Sequence, residues 1–236
     1  MSGVLHRRLA LLRWQYGALP ADSLVAALSR QEFPGRIALV SSFGAESAVL
    51  LHMIAAVDRG LDVVFLDTGK LFGETLRYRD RLIDRLGLTN VRTITPDPAA
   101  LAARDSDGTL WSKNPDACCA MRKVETLARA LAPYDAWFNG RKAFQGGARA
   151  GLDTIEIADG RFKINPLAGW TRTDIDRYFA DHDLPPHPLV PDGYLSIGCM
   201  PCTTRVTPGE DQRAGRWRGT PKTECGIHLP SLKPAA

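Results

Sequence analysis

The chain has 236 residues, 44% of them hydrophobic and 24% charged, enough to bury one sizeable α/β core and too few for two full domains. Its 30 basic and 26 acidic residues leave a formal charge of +4. That surplus is too mild to argue for a nucleic-acid partner, though it leaves room for a locally basic pocket that takes a small anion. Met1–Leu12 carries His6, Arg7 and Arg8 but no apolar core of signal-peptide form, and no run of about 18 apolar residues points to a membrane. The reading is a cytoplasmic protein, and five cysteines there argue for metal binding or redox catalysis over a disulfide framework.

Residues 1–30 read as helical, with apolar positions at Leu9, Leu12, Leu24, Val25 and Leu28 and a break at Leu19-Pro20, and serve as a packing or homo-oligomer element. The apolar run Ile37-Ala38-Leu39-Val40 predicts a buried strand. The turn Ser41-Ser42-Phe43-Gly44-Ala45-Glu46-Ser47 follows, and helical spacing resumes through Val57. A strand, a hydroxyl- and Gly-containing turn and a helix in that order present N–H groups and a helix N-terminus to an anion such as a phosphate. The next unit repeats this grammar, with strand Val63–Leu66, Asp67-Thr68-Gly69 at its carboxyl end and a helix over Glu74–Leu86.

Val91–Ile94 and Ala136–Phe138 read as further strands, Asp97–Arg104 and Cys118–Leu131 as helices, Ile155–Ile164 as a hairpin around Asp159-Gly160, and Thr171–His182 as a last helix. Alternating strands and helices predict a doubly wound, mostly parallel sheet, whose ligands bind beyond the carboxyl ends of its strands. Residues 1–207 form this domain, and 208–236, rich in Gly, Pro and charge, form a flexible catalytic tail that ends in Lys233-Pro234-Ala235-Ala236.

Cys199 and Cys202 stand at Cys-x-x-Cys spacing, and Cys118-Cys119 supplies a second pair. Neighbouring helical side chains diverge by about 100°, so one zinc would strain to take both Cys118 and Cys119. An iron–sulfur cluster offers separate irons to adjacent thiolates, and the four sulfurs suit a [4Fe–4S] cluster, with tetrahedral zinc and free thiols as the alternatives. Arg122 and Lys123 adjoin it with positive charge. Cys225 is left over, close to His228 and downstream of Arg213, Arg216 and Arg218, a setting for a nucleophile.

Seven segments together carry a resemblance that spans about Arg36 to Leu229. They are Ser41–Ser47, Leu66–Gly69, Cys118-Cys119-Ala120-Met121-Arg122-Lys123, Lys163-Ile164-Asn165-Pro166-Leu167, Gly193–Cys202, Arg213-Ala214-Gly215-Arg216-Trp217 and Glu224-Cys225-Gly226-Ile227-His228-Leu229. The chain resembles the assimilatory adenylyl-sulfate (APS) reductases and the related phosphoadenylyl-sulfate (PAPS) reductases. The resemblance implies an adenine nucleotide alpha hydrolase-like fold and reduction of APS to sulfite and AMP, with thioredoxin or a glutaredoxin-like dithiol protein as donor.

It also implies a [4Fe–4S] cluster on Cys118, Cys119, Cys199 and Cys202, and attack by Cys225 on the sulfate sulfur to give an S-sulfo intermediate. Substrate-binding candidates are the 41–47 turn, Asp67, Thr68, Gly69, Lys123, Arg141, Arg213 and Arg216, with Cys225 and His228 as catalytic residues. PAPS reductases of the usual kind lack both cysteine pairs, so their presence favours APS, with dual specificity as the alternative. The chain departs from its relatives at Arg141-Lys142-Ala143-Phe144-Gln145-Gly146-Gly147, where the charge is kept but the loop differs, and Arg149 has no assigned role. An iron–sulfur tRNA-thiolating enzyme would share the sheet but needs Ser-Gly-Gly-x-Asp-Ser where Ser42–Ser47 stands.

Overall fold

The computed structural model describes residues 2–228. Leu229 and the tip Lys233–Ala236 lie outside the described residues. Among the described residues six strands form one sheet in the order β3-β2-β1-β4-β6-β5, with β1 Ile37–Ser41, β2 Val63–Leu66, β3 Val91–Ile94, β4 Ala136–Phe138, β5 Ile155–Ala158 and β6 Arg161–Ile164. All pairs are parallel except β5 with β6, a hairpin in which Asp159 and Gly160 both take positive φ, as a two-residue turn of matching twist requires. The expected doubly wound sheet is therefore present, with one antiparallel edge strand.

The strands sort their side chains by alternation, and each face has its own cover. Ile37, Leu39, Val63, Phe65, Ala136, Phe138, Phe162 and Ile164 point into the larger core, roofed by α1 Ser2–Tyr16, α2 Ala21–Ala27, α3 Ser47–Val57, α4 Gly73–Leu86 and the later helix Arg172–Asp181. Ala38, Val64 and Trp137 face the other way. There a single helical stretch supplies Leu127, Ala130 and Leu131, and Ile227 from the end of the chain packs beside it. The second face is thus partly closed by the C-terminal segment, where a doubly wound sheet ordinarily has another helix.

Between β3 and β4 run α5 Pro98–Arg104, the short α6 Leu110–Lys113, and α7 Pro115–Cys119, which continues through a π-helical turn at Ala120–Glu125 into α8 Thr126–Ala130. Asp97 and Asn114 cap α5 and α7 by accepting from the Ala100 and Ala117 N–H groups, each with proline in the first turn. α9, Arg172–Asp181, opens on a capping box between Thr171 and Asp174. The N-terminal helix buries Leu12 and Tyr16 and leaves Val4, Leu11 and Trp14 exposed.

His187 connects the core to pH. It is fully buried, accepts from the Leu189 N–H at Nδ1, and so carries its proton on Nε2 toward Thr75 Oγ1, 3.1 Å away. Burial pushes its pKa down to about 4. The unfolded chain, with an ordinary imidazole near 6.5, binds the proton more readily, so this contribution to stability is complete above about pH 6.5 and is lost as pH falls toward about 4. Wild type is expected to lose about 2 kcal/mol more than His187→Gln between about pH 7 and about pH 5. Urea titrations at both pH values check this, and equal pH slopes for the two proteins would contradict it.

Candidate active site

A cleft opens beyond the carboxyl ends of β1, β2 and β4, where a parallel sheet places its ligands. It is lined by Ser41, Ser42, Gly44, Ala45, Glu46, Ser47, Thr68, Lys123, Arg141, Arg213, Arg216, Cys225 and His228, which brings most of the expected residues from five stretches of chain to one place. Phe43, Asp67 and Gly69 do not line it. The Phe43 ring lies in the core, edge-on to Phe65 at 5.4 Å, and this packing holds its backbone at φ 47. Asp67 accepts from the Gly69 N–H, so both residues shape the loop that presents Thr68.

The 41–47 turn is narrower as an anion site than its sequence implies. The Phe43 N–H donates to Ser41 Oγ and the Gly44 N–H to Ser47 Oγ at 2.8 Å, so two of its donors are taken up within the turn. Glu46 is held from three sides, by Lys142 at 2.5 Å, Arg172 at 2.7 Å and Gln145 at 3.1 Å. Those contacts pin the 142–149 loop against the turn. Burial lowers the Lys142 pKa, and Glu46 opposes that shift.

Positive charge collects on the opposite wall. Burial opposes the Lys123 ammonium, but the surrounding Cys199, Cys225 and Cys119 sulfurs outweigh it and hold Lys123 above the ordinary lysine range. Arg141 is buried among Asn139, Asn165 and Glu156, and burial and Arg149 draw its pKa down to about 10. Burial likewise lowers Arg213. Behind them Lys163, 2% exposed, stands in register with Trp137 across β6 and β4, its Nζ 5.1 Å from the indole centroid and 3.5 Å from Glu156.

The segment after Pro208 folds over this wall. Arg213 Nη2 donates to the Thr223 carbonyl, Lys222 pairs with Asp116, and the His228 ring lies parallel to Trp137 at 6.4 Å. Cys225, 9% exposed, packs with Cys119 and Trp217. Burial first, then the charges of Lys163, Arg141, Arg149 and Arg213, press the His228 pKa well below 6.5, so its imidazole is neutral. Sequence reasoning gave Trp137, Asn139, Lys142, Lys163 and Glu224 no site role, and left Arg149 unassigned. The structure places Arg149 in the cleft, paired with Glu224 at 2.7 Å.

Cys118, Cys119, Cys199 and Cys202 line one small adjoining cavity, together with Lys70, Arg122, Lys123 and Trp217. None of the four forms a disulfide. Burial raises the pKa of Cys118, Cys119 (to about 11) and Cys202. Among the described residues no three His, Cys, Asp or Glu side chains converge as ligands of a single metal ion. Two lining donors, Arg122 Nε and Trp217 Nε1, are buried without a hydrogen-bond partner, and Thr68 Oγ1 lies 3.2 Å from Cys199 Sγ. Two unpaired donors beside four thiols that line one cavity fit a sulfur-rich anionic group.

The sheet order, the cleft at its edge and the cysteine-bearing segment across it define an α/β protein of the adenine nucleotide alpha hydrolase type. Residues 36–205 match the phosphoadenosine phosphosulfate reductase domain. The chain is 56% identical over 218 residues to an adenosine 5′-phosphosulfate reductase of Mesorhizobium japonicum, covering 92% of this chain and 86% of that one. A solved phosphoadenylyl-sulfate (PAPS) reductase from Candida auris, a phosphate complex, superposes with a TM-score of 0.69 at 26% identity, over 83% of this chain and 96% of its own. The FMN adenylyltransferase of Candida glabrata shares the fold alone, with a TM-score of 0.55 at 17% identity over 78% of this chain and 64% of its own. The chain belongs to the phosphoadenosine phosphosulfate reductase family. Among the described residues no helix is long and apolar enough to cross a membrane.

Proposed function

We propose that this protein reduces adenosine 5′-phosphosulfate (APS) to sulfite and AMP through a covalent intermediate on Cys225, in the cytoplasm and with thioredoxin or a glutaredoxin-like dithiol protein as reductant. The observation that carries the reading is the meeting of a nucleotide-type turn, Lys123, Arg213 and Arg216 with a lone thiol in one cleft. The Cys225 thiolate attacks the sulfate sulfur. An S–S bond forms as the S–O bond to the phosphate breaks, and AMP leaves with the electron pair. Lys123, Arg213 and Arg216 oppose the charge that gathers on the departing phosphate. Neutral His228 can accept a hydrogen bond without adding charge to a crowded cationic site.

The second half-reaction needs a dithiol. One of its thiolates attacks Cys225 Sγ, sulfite leaves with the S–S electron pair, and the second thiol resolves the mixed disulfide to restore Cys225. Two electrons pass from the dithiol to sulfur. Cys225 is too buried for a partner protein to reach, so the 208–228 segment has to swing outward to present it. The fit of the neighbouring cavity favours a [4Fe–4S] cluster on Cys118, Cys119, Cys199 and Cys202. When bound, it supplies a cross-link between α7 and the 199–202 stretch and a local charge balanced by Arg122 and Lys123.

A substrate preference accompanies this reading. The two cysteine pairs favour APS over its 3′-phosphorylated form, and competition between the two nucleotides is expected to give a higher kcat/KM for APS. Equal or higher kcat/KM for PAPS would overturn the choice of substrate.

A further inference from the structure

Glu224 is an acidic residue inside a cleft lined with cations, directly before Cys225 and 6% exposed. Both of its oxygens are engaged by one guanidinium fork: Arg149 Nε donates to Oε1 at 2.7 Å and Arg149 Nη2 to Oε2 at 3.1 Å. Arg213 Nη2 lies 3.2 Å from the same Oε1. Burial opposes the charge, but Arg149, Arg213 and Arg216 outweigh it and keep the carboxylate ionised. The two oxygens meet the fork side by side, as sulfate or phosphate oxygens do.

We infer that Glu224 is a specificity-determining residue: in the free protein its carboxylate stands in the Arg149–Arg213 anion subsite, and a ligand reaches those arginines only by displacing it. The inference rests on reading the cleft as a phosphosulfate site. Inorganic sulfate offers Arg149 and Arg213 what Glu224 already offers, so the exchange gains it little. A nucleotide-linked phosphosulfate brings a second anionic group for Lys123 and Arg216, and a nucleoside for the 41–47 side of the cleft, and these contacts offset the loss of the carboxylate. Glu224 thereby keeps the product-like anions of the cell out of a pocket that its arginines would otherwise open to them. Displacement also frees the residue next to Cys225 from Arg149, so occupancy of the subsite and release of the nucleophile's tether are one event.

The test is calorimetric titration of inorganic sulfate, at constant ionic strength in chloride, into wild type, Glu224→Gln and Glu224→Asp. Glu224→Gln is expected to bind sulfate at least about tenfold more tightly, roughly 1.4 kcal/mol. Glu224→Asp is expected to stay as weak as wild type, and uncharged adenosine to bind all three alike. Sulfate binding to Glu224→Gln that is unchanged or weaker would overturn the inference, because the carboxylate would then order the arginines and not compete for them. A measurement on wild type covers the case in which Glu224→Gln fails to fold. Saturating sulfate, but not adenosine, is expected to raise hydrogen exchange of the 223–226 amides, and no rise would overturn the inference equally. Neither assay requires turnover, so absence of APS reduction would refute the proposed function while leaving this result to be judged on its own.

Discussion

Cys225→Ser is expected to form sulfite at least about a thousandfold more slowly than wild type, a loss of about 4 kcal/mol of transition-state stabilisation. Serine nearly preserves volume, and the position packs against Cys119 and Trp217, so the fold and nucleotide binding should survive. What is lost is the thiolate, which serine cannot replace at neutral pH without a strong base, and neutral His228 in a cationic pocket is a weak one. The other four cysteines line the neighbouring cavity. Normal AMP binding by calorimetry alongside lost sulfite release would separate chemistry from folding, and sulfite release near the wild-type rate would remove Cys225 from the mechanism.

Cys199→Ser is expected to lose its bound iron and sulfide and much of its soluble yield. Cys199 sits where the second cysteine pair is sewn to the sheet edge. Its backbone bridges to Leu71, the Met200 N–H donates to the Lys70 carbonyl at 2.7 Å, and its Sγ lies beside Thr68 Oγ1. From there the Trp217 N–H donates to the Cys202 carbonyl, and Thr203 bridges to Arg216, so the path to the cleft arginines starts at this thiol. Binding energy from a group held by both cysteine pairs is folding energy for that path. Iron and acid-labile sulfide analysis of anaerobically purified protein, with a thermal melt, checks this. Full iron and sulfide content in Cys199→Ser would show that the ligand assignment is wrong.

The central strands were legible because parallel strands buried on both faces write themselves as apolar runs, and the edge strands because of alternation and turn signals. Val63–Leu66, Val91–Ile94, Ala136–Phe138 and the hairpin at Asp159-Gly160 fall where the pattern places them. The helix expected over Cys118–Leu131 starts earlier, at Pro115, because Asn114 caps it, and it passes through a π-helical turn whose extra residue leaves no mark in apolar spacing. The short α6 is too brief to show periodicity.

Within the site, residues with a chemical signature were visible: paired cysteines, a lone thiol, clustered arginines. Phe43 was misplaced because a sequence run does not tell which way a strained turn faces. Lys142, Lys163 and Glu224 stand in stretches the sequence singles out, but they carried no site role there because a buried charge looks like a surface charge until its partner is known. Lys163 had one available signal, a lysine between Phe162 and Ile164 in a strand, which register places beside Trp137. Glu224 had another, an acid next to the proposed nucleophile in a basic tail.

The central claim is that Cys225 carries the sulfonate between two half-reactions, and one measurement addresses it without any reductant. The protein is mixed with APS in the absence of thioredoxin and any small thiol, quenched, digested and mapped by mass. The account predicts one added SO₃ on the peptide that contains Cys225, with stoichiometric AMP release, and loss of that adduct as sulfite when a dithiol protein is added. An adduct on Cys118, Cys119, Cys199 or Cys202, or AMP release with Cys225 unmodified, would contradict it.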